Sequence, residues 1–437
     1  MSHTADVTGA AATRRRMMAW SLWDWGSAAF NAVIVTFVFS VYLVDGVGDD
    51  LDGPISASSW LAWATAAGAF VIAALAPVTG RQADAGGRRK RSLASLTGAV
   101  VLVTALMFFV KDDASYLWLG LLLLVLGDIL FELAQVPYFA MLRQVSTPAN
   151  VGRVSAFGWA LGYLGGIVLL LVCFFGLITG DGGLLGLSTD EGLNIRLVAV
   201  LAALWFAVFA APVFLLVPEL PADASPAPKT GLLDAYRGVF ADLKRMWSED
   251  RVVVKFLLAS AIFRDGLAGV FAFGAILAVT TYDFADDSVI VFGIVANVFA
   301  AAGALIAGRF DDRYGPRIVI VVSLGCMLGA GAVLLFVSGS GMFWIFGLIL
   351  CLFVGPAQSA ARTYLVRLTR PGMEGQNFGF YAMTGRAASF LSPLLFGLFV
   401  FLGGSDRWGI LGIMIVLAAG LFLLLRVPAQ IADRAAE

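Results

Sequence analysis

The sequence predicts an all-α membrane protein with twelve transmembrane helices in two six-helix bundles. Three observations predict this class: 60% of the 437 residues are hydrophobic, only 14% are charged, and the mean hydropathy is +0.90. Soluble domains are about 45–50% apolar and about 25% charged. The apolar segments also exceed the about 20 residues that a helix needs to cross a bilayer, and they lack the alternation of transmembrane strands.

The composition excludes several other classes. A net charge of −1 gives no basic field for a nucleic acid. The three cysteines, Cys173, Cys326 and Cys351, lie in apolar segments and form no ligand pattern with the single histidine, His3. The sequence contains no P-loop and no set of nucleophile, base and metal ligands. We therefore expect neither an enzyme nor a protein with a metal or cofactor.

Twelve segments are candidate membrane spans. They are 17–44, 57–79, 92–111, 115–142, 153–179, 194–217, 252–281, 286–308, 317–338, 341–367, 377–403 and 408–427. The first follows Arg14, Arg15 and Arg16, as a signal peptide would, but its apolar stretch is too long for one.

The loop charges predict the orientation. The cytoplasmic sides of membrane proteins are enriched in Lys and Arg. The odd-numbered loops carry mainly acids: Asp45, Asp49, Asp50, Asp52, Asp112, Asp113, Asp181, Asp190, Glu191, Asp283, Asp286, Asp287 and Asp406. The termini and even-numbered loops carry mainly arginines, including the cluster 88–91. This asymmetry predicts a multi-pass protein of the inner (plasma) membrane with both termini in the cytoplasm.

A central segment, 218–251, separates an N-terminal bundle, 17–217, from a C-terminal bundle, 252–427. The segment begins with prolines that favour an extended chain. It continues with apolar residues on one helical face, typical of a helix lying on a membrane surface: Leu232, Leu233, Tyr236, Val239, Phe240, Leu243, Met246 and Trp247. We interpret this linker helix as a strap beneath the bundles rather than a regulatory site.

The two halves contain matching motifs in the same order. Gly80-Arg-Gln-Ala-Asp84 follows span 2, and Gly308-Arg-Phe-Asp-Asp312 follows span 8. Ala-Gln pairs occur in spans 4 and 10, and an Asp-Trp-Gly in span 1 has a counterpart, Asp-Gly, in span 7. Such correspondences favour an internal duplication.

These motifs resemble the major facilitator superfamily, whose loops after spans 2 and 8 carry the Gly-x-x-x-Asp pattern. More narrowly, the chain is similar to the vacuole-effluxer branch, whose fungal members export amino acids. Three segments carry that similarity: the Trp20–Asn31 opening, Ser155–Gly166 in span 5 and Phe378–Arg386 in span 11. The resemblance implies the major facilitator fold. The first loop departs from the pattern, since Ala85 stands where the family has Arg.

Span 4 carries Asp128 and Glu132 one turn apart, with Gln135 on the same face. Two adjacent carboxylates in a membrane do not both ionise cheaply, which is a requirement for a proton carrier. The alternative is that one is neutral and hydrogen-bonded, or that the pair contacts a membrane-embedded arginine, Arg264 or Arg386. Asp24 and Asp265 are further candidates for proton coupling.

Several polar residues in the spans are candidates for substrate binding. Arg264 can bind a carboxylate through its planar guanidinium, although a salt bridge to span 1 or 4 is an equal alternative. Asn31 lies with Asp24 on a polar face of span 1, beside three tryptophans that favour an interfacial belt. The remaining candidates are Gln135, Trp159, Tyr163, Gln358 and Arg386; for the aromatic residues, packing is the alternative.

The loop residues Asp84, Arg88, Asp312, Arg313 and Arg317 are candidates for gating. The two aspartates follow helix ends and can accept backbone N–H groups at the N-terminus of a neighbouring helix. The adjacent bases can contact the other bundle or lipid headgroups. The alternative is that these charges only set the topology.

The sequence therefore predicts a secondary active transporter of a small polar metabolite, with amino acids first by resemblance, working by alternating access and coupled to protons. An exporter of amphipathic or lipid compounds and a non-transporting membrane sensor are the alternatives. The expected partners are a small-molecule substrate, protons and membrane lipids, with no nucleic acid. Since both bundles lie in one chain, we expect a monomer.

Overall fold

The computed structural model describes residues 2–84, 87–219 and 232–428, and every regular element in these ranges is a helix. Ala85 and the linker prolines Pro221, Pro226 and Pro228 lie outside them. The side chains of His3, Asp181, Leu232, Leu233, Asp286 and Asp287 are also outside the described part.

Twelve helical segments of the described chain are long and apolar enough to cross a membrane, as the sequence predicts. They are Thr13–Gly46, Ala57–Asp84, Arg89–Phe109, Ala114–Ala140, Val151–Ile178, Asp190–Leu216, Arg251–Tyr282, Ser288–Tyr314, Pro316–Leu334, Ser340–Leu368, Glu374–Gly403 and Asp406–Leu425. Span 8 continues past its predicted end at 308 because the arginine- and aspartate-rich motif is itself helical; it ends where Gly315 adopts φ +90°.

Span 5 ends in a π-helix over Phe174–Ile178, and two other spans are irregular further from their ends. Span 1 changes from α-helix to π-helix over Ala29–Phe37 and again over Tyr42–Gly46. Span 11 consists of two helices, Glu374–Ala388 and Leu391–Gly403. The hydropathy pattern predicts none of these irregularities, although π-helical turns are frequent at functional sites.

The chain forms two compact units. Unit 1 comprises Met1–Leu75, Gly87–Tyr138 and Leu161–Asp223, and unit 2 comprises Ala76–Gly86, Phe139–Ala160 and Ala224–Glu437. The last turns of spans 2 and 4 and the first turns of span 5 therefore belong to the same unit as the C-terminal spans. The division into bundles at the linker stays a prediction.

Two of the three tryptophans of span 1 lie in the core of unit 1. Trp20 and Trp23 are at most 1% exposed. Trp20 donates a hydrogen bond to the carbonyl of Tyr138 at 3.0 Å, and Trp23 donates one to the Thr97 hydroxyl at 3.1 Å. Both indoles stack on the Tyr138 ring. The expectation of an interfacial belt is wrong for these two residues, because partners distant in sequence satisfy their N–H groups inside the protein.

The linker helix, Leu232–Glu249, lies in unit 2. Val239 and Met246 are buried, so this line of its apolar face packs against the protein. Arg81, near the end of span 2, contacts Asp242 of the linker helix at 3.5 Å. The helix is thus held to the protein by both apolar contacts and an ion pair.

Candidate transport site and gating contacts

The two carboxylates of span 4 lie in the middle of the helix Leu117–Ala140. Asp128 and Glu132 are both half-buried. The Gln135 amide donates a hydrogen bond to Glu132 Oε1 at 3.1 Å. Span 1 packs closely here, because a Cβ at Gly127 would lie 2.7 Å from the Phe30 ring. The pair therefore occupies a well-packed part of unit 1 rather than a frayed helix end.

The exposure of the polar side chains of span 1 differs along the helix. Asp24 is half-buried, and the Ser27 hydroxyl donates to its carbonyl at 3.1 Å. Gly162 of span 5 packs opposite Asp24, where an added Cβ would be 3.8 Å from the Asp24 Cβ. Asn31, in the π-helical segment, is exposed. Of the two, the accessible side chain is Asn31.

Arg264 lies near the middle of span 7 and is half-buried. Its guanidinium carbon lies 3.7 Å from the centroid of the Tyr381 ring, and Nη1 donates to the Tyr381 carbonyl at 3.2 Å. Gly385, one turn further along span 11, leaves room for the guanidinium, since a Cβ there would lie 3.0 Å from Nη1. Among the described residues, no carboxylate forms an ion pair with Arg264.

Asp265, the next residue, has a different environment. It is 7% exposed, and its Oδ2 accepts a 2.6 Å hydrogen bond from the backbone N–H of Ser392. Ser392 lies in the first turn of the second helix of span 11. A carboxylate at this position satisfies a backbone donor and is favoured by the helix dipole. Asp265 thus stabilises the break in span 11.

The other substrate-binding candidates are all half-buried in their spans. Trp159 and Tyr163 lie one turn apart in span 5, and Gln358 lies in span 10. Arg386 lies in the last turn of the first helix of span 11, and its carbonyl accepts a hydrogen bond from the Ser389 hydroxyl at 2.9 Å. Their part in substrate binding stays a prediction.

The Asp84 carboxylate caps the first helix of span 11. Its two oxygens accept hydrogen bonds from the backbone N–H groups of Gly375 at 3.0 Å and Gln376 at 2.7 Å. This contact needs close approach of the two backbones: a Cβ at Gly375 would lie 2.5 Å from the Gly80 carbonyl oxygen. The repeat glycine of the loop motif and the glycine at the helix start therefore allow the cap to form.

Gly375→Ala is accordingly expected to separate the end of span 2 from the start of span 11. Overpacking of this kind costs about 1–3 kcal/mol. We expect a lower melting temperature in detergent and reduced transport. Gly397→Ala is the matched control, since Gly397 also lies in span 11 but a Cβ there would meet no atom within 4 Å. Equal effects of the two substitutions would contradict the role of close approach.

Asp312 makes the equivalent contact in the second copy of the motif. It accepts hydrogen bonds from the backbone N–H groups of Gly152 at 2.7 Å and Arg153 at 3.3 Å, at the start of span 5. The Arg153 side chain also contacts it at 2.7 Å. The hydrogen bonds expected of both loop carboxylates are therefore present, and their role in gating stays a prediction.

Two further ion pairs reinforce these contacts. Arg143, beyond the end of span 4, pairs with the buried Glu374 at 3.2 Å and donates to the carbonyls of Val366 and Thr369 at the end of span 10. Arg367 pairs with the buried Asp311 at 3.1 Å. Each arginine thus satisfies groups at a helix end as well as a carboxylate.

The other gating candidates are placed less centrally. Arg88 and Arg313 are exposed, and the Arg313 guanidinium lies over the Tyr314 ring at 5.2 Å. Arg317 donates to the carbonyl of Leu425 at the end of span 12, at 3.0 Å. Within the described chain none of the three contacts a carboxylate.

Arg362 of span 10 is a buried arginine that the sequence reasoning missed. It is 1% exposed. It donates to the Ser155 hydroxyl at 2.9 Å and to the Ser155 carbonyl at 2.6 Å, and it lies over the rings of Phe139 and Trp159. In the sequence, Arg362 lies near the end of a span, where an arginine usually serves only to set the orientation of the protein in the membrane. Its position beside the repeat motifs was the only available signal.

The acidic loops at the other ends of the spans contain local contacts. Lys111 pairs with Glu191 at 2.9 Å, and this hydrogen bond raises the pKa of Lys111. The Ser115 hydroxyl and backbone N–H hydrogen-bond to Asp113 and lower its pKa. Both groups are therefore charged at neutral pH.

A family model described as vacuole effluxer Atg22-like matches residues 144–437. The chain belongs to this family. The match includes span 5, the linker helix and all the C-terminal spans, so it covers Arg264, Asp312 and Arg362. The effluxer family is a family of transporters of the major facilitator superfamily, and this chain is a membrane transporter rather than an enzyme.

Relatives of this chain occur in bacteria and fungi. It is 24% identical over 417 residues to the MFS-type transporter YxiO of Bacillus subtilis, covering 94% of each chain. It is 24% identical over 300 residues to autophagy-related protein 22 of Cryptococcus neoformans, covering 64% of this chain and 53% of the fungal one. The chain thus spans about half the length of that fungal relative.

The fold of this chain matches that of solved transporters. The E. coli fucose:proton symporter FucP superimposes with a TM-score of 0.72 at 12% identity, over 95% of this chain and 98% of that chain. At this identity the likeness establishes the major facilitator fold, as the sequence predicts.

Proposed function

We propose that this effluxer-family chain transports amino acids, or similar small metabolites with a carboxylate, in a proton-coupled cycle. The observation that carries the proposal is Arg264, a guanidinium in the middle of a membrane span that has only a carbonyl and an aromatic ring as described partners. A charged residue at the bilayer centre costs about 2.5–3.5 kcal/mol on insertion scales. A cargo carboxylate would supply the missing counter-ion.

The surroundings of Arg264 support access by a small cargo. Three alanines, Ala268, Ala272 and Ala275, follow Arg264 along the helix at spacings of four, four and three residues, and all three are exposed. Residues so spaced share a helical face. Small side chains on this face leave space beside the guanidinium. The stacking of Arg264 on Tyr381 fixes the plane of its donors, which favours bidentate binding of a carboxylate.

Proton coupling is supported by the carboxylate pair of span 4. Asp128 and Glu132 lie one turn apart on one helix, and the Gln135 amide donates a hydrogen bond to Glu132 at 3.1 Å. When one of two neighbouring carboxylates is ionised, the other binds a proton more readily. Alternate protonation from the two sides of the membrane would then couple proton flow to cargo movement.

The proposed location is the plasma membrane, with the Asp84 and Asp312 contacts on the cytoplasmic side, since that side carries the arginine-rich loops. In alternating access these contacts would form when that side is closed and break when it opens. Transport in a vacuole-like compartment remains the alternative that the fungal relatives favour.

Counterflow in proteoliposomes tests the assignment of Arg264. Vesicles loaded with an unlabelled amino acid are assayed for uptake of the same amino acid in labelled form. The corresponding decarboxylated amine and carboxyl ester are added as competitors. Arg264→Met is expected to reduce amino-acid counterflow by about 10- to 150-fold, because a hydrogen bond to a charged group contributes about 1.5–3 kcal/mol. In vesicles with the wild-type protein, the amine and the ester should compete poorly with the labelled amino acid for uptake.

Arg426→Met is the matched control, since Arg426 also stacks on an aromatic ring, Phe422, and lies beyond the last span. It should transport as the wild type does. Competition by the amine as strong as by the amino acid would overturn carboxylate recognition. Absence of flux for every amino acid, with the wild type folded, would overturn the amino-acid assignment itself.

A further inference from the structure

The linker helix exposes a line of large apolar side chains. Phe240, Leu243 and Trp247 recur at spacings of three and four residues, and Phe240 and Trp247 are 69% and 62% exposed. Val239 and Met246, on the adjacent line of the same helix, are buried. The protein therefore covers only half of the apolar face of this helix.

A groove of about 490 Å³ runs along the exposed line. One wall is the linker helix, the second is the start of span 7, and the third is the first helix of span 11. Its lining is almost entirely apolar, with Lys244 and Thr384 as the polar members. The apolar members from the spans are Val254, Leu257, Leu258, Phe380 and Met383.

The charges beside the groove are not balanced by the protein. Lys244 lines it, and Lys255 is exposed one turn before Leu258 in span 7. Neither lysine has an acidic partner among the described residues. Of the nearby acids, Asp242 pairs with Arg81 and Arg245, and Asp250 pairs with Arg370. Among the described residues, this leaves one exposed acid, Glu249, against the two lysines. The edge of the groove is therefore electropositive.

We propose that this groove binds an anionic phospholipid of the surrounding leaflet. Two of its walls are membrane spans, so it opens where acyl chains are present. An acyl chain would pack against Phe240, Leu243 and Trp247 and remove their apolar surface from water. The phosphate would lie at Lys244 and Lys255, which offer the charge that the protein leaves unpaired. The proposal does not depend on which cargo is transported.

The complementarity favours a lipid over a protein partner. A protein segment would have to displace lipid from the faces of spans 7 and 11, and an apolar peptide would leave both lysines without counter-ions. An anionic lipid matches the chain-shaped apolar lining and the basic edge together. The bound lipid would hold the linker helix against the start of span 7.

Quenching of Trp247 fluorescence tests the proposal. The purified full chain in detergent is titrated with phosphatidylglycerol or phosphatidylcholine carrying brominated acyl chains. The difference between the wild type and Trp247→Phe isolates the signal of Trp247. We expect phosphatidylglycerol to quench at about thirtyfold lower concentration than phosphatidylcholine, since each basic residue near an anionic headgroup contributes about a fivefold preference.

Lys244→Gln is expected to reduce this preference about fivefold, and Lys244→Gln with Lys255→Gln to remove it. Arg309→Gln is the matched control, because Arg309 is an exposed cation of span 8 without a described acidic partner; it should keep the preference. Equal quenching by the two lipids, or a preference that survives in the double variant, would overturn the proposal. So would an absence of quenching by either lipid, which would mean that protein covers the groove.

Discussion

In proteoliposomes, Glu132→Gln is expected to abolish accumulation of amino acids driven by a pH gradient while counterflow continues. Glutamine keeps the size and hydrogen-bonding capacity of a protonated glutamate but cannot release a proton. The variant would therefore be held in its proton-loaded form, which still exchanges cargo. With one proton per substrate, a gradient of one pH unit supports about tenfold accumulation, and the variant should show none.

Asp128→Asn tests whether the second carboxylate of the pair is also required for coupling. If the two carboxylates act as one unit that carries a single exchangeable proton, replacing either of them should abolish coupling. Asp49→Asn is the matched control, since Asp49 is an exposed acid outside the spans. Gradient-driven accumulation that persists in both span 4 variants would contradict coupling through this pair.

Hydropathy was sufficient to predict the spans, since a stretch of about 20 or more mostly apolar residues is long enough to cross a bilayer as a helix. The aspartate caps were also predictable, because a carboxylate at the end of one helix can accept backbone N–H groups at the start of a neighbouring helix. The buried environment of Trp23 could not be predicted from the sequence. Its partner Thr97 lies 74 residues away, and no local pattern distinguishes a buried indole from an interfacial one.

Arg362 and the break in span 11 were missed for the same reason. The stabilising partners of Arg362 include Ser155 and two rings from other helices, and the break is held by Asp265 through the backbone of Ser392. In both cases a long-range contact supplies the free energy that the local sequence does not indicate. Arg264 was identified as a candidate, but only the structure removes the salt-bridge alternative within the described chain.

The double variant Asp84→Ala, Asp312→Ala is expected to open the side of the protein that carries the loop motifs. Each carboxylate accepts two backbone N–H groups at a helix start. Loss of such a cap costs about 0.5–2 kcal/mol, typically about 1. The two caps share no partner, so their effects should add. The double variant should then shift the equilibrium between closed and open forms by about 5- to 1000-fold.

The labelling rate of a buried cysteine measures this shift. Ala156, in the first turns of span 5, is 1% exposed and packs beside Gly308 of span 8. Ala156→Cys is introduced after replacement of the three native cysteines and treated with a water-soluble thiol reagent. We expect slow labelling with both caps present, faster labelling in each single variant and the fastest labelling in the double variant.

Asp250→Ala is the control that separates capping from loss of charge. Asp250 pairs with Arg370 at 3.3 Å but its side chain caps no helix, so its replacement should leave the labelling rate unchanged. If the three single variants label equally fast, general loss of charge rather than capping controls the contact. If the double variant labels as slowly as the protein with both caps, the neighbouring pairs Arg143–Glu374 and Arg367–Asp311 are sufficient to keep this side closed. The loop aspartates would then set only the register of the contact, because four ends of helices would still be joined by buried carboxylates.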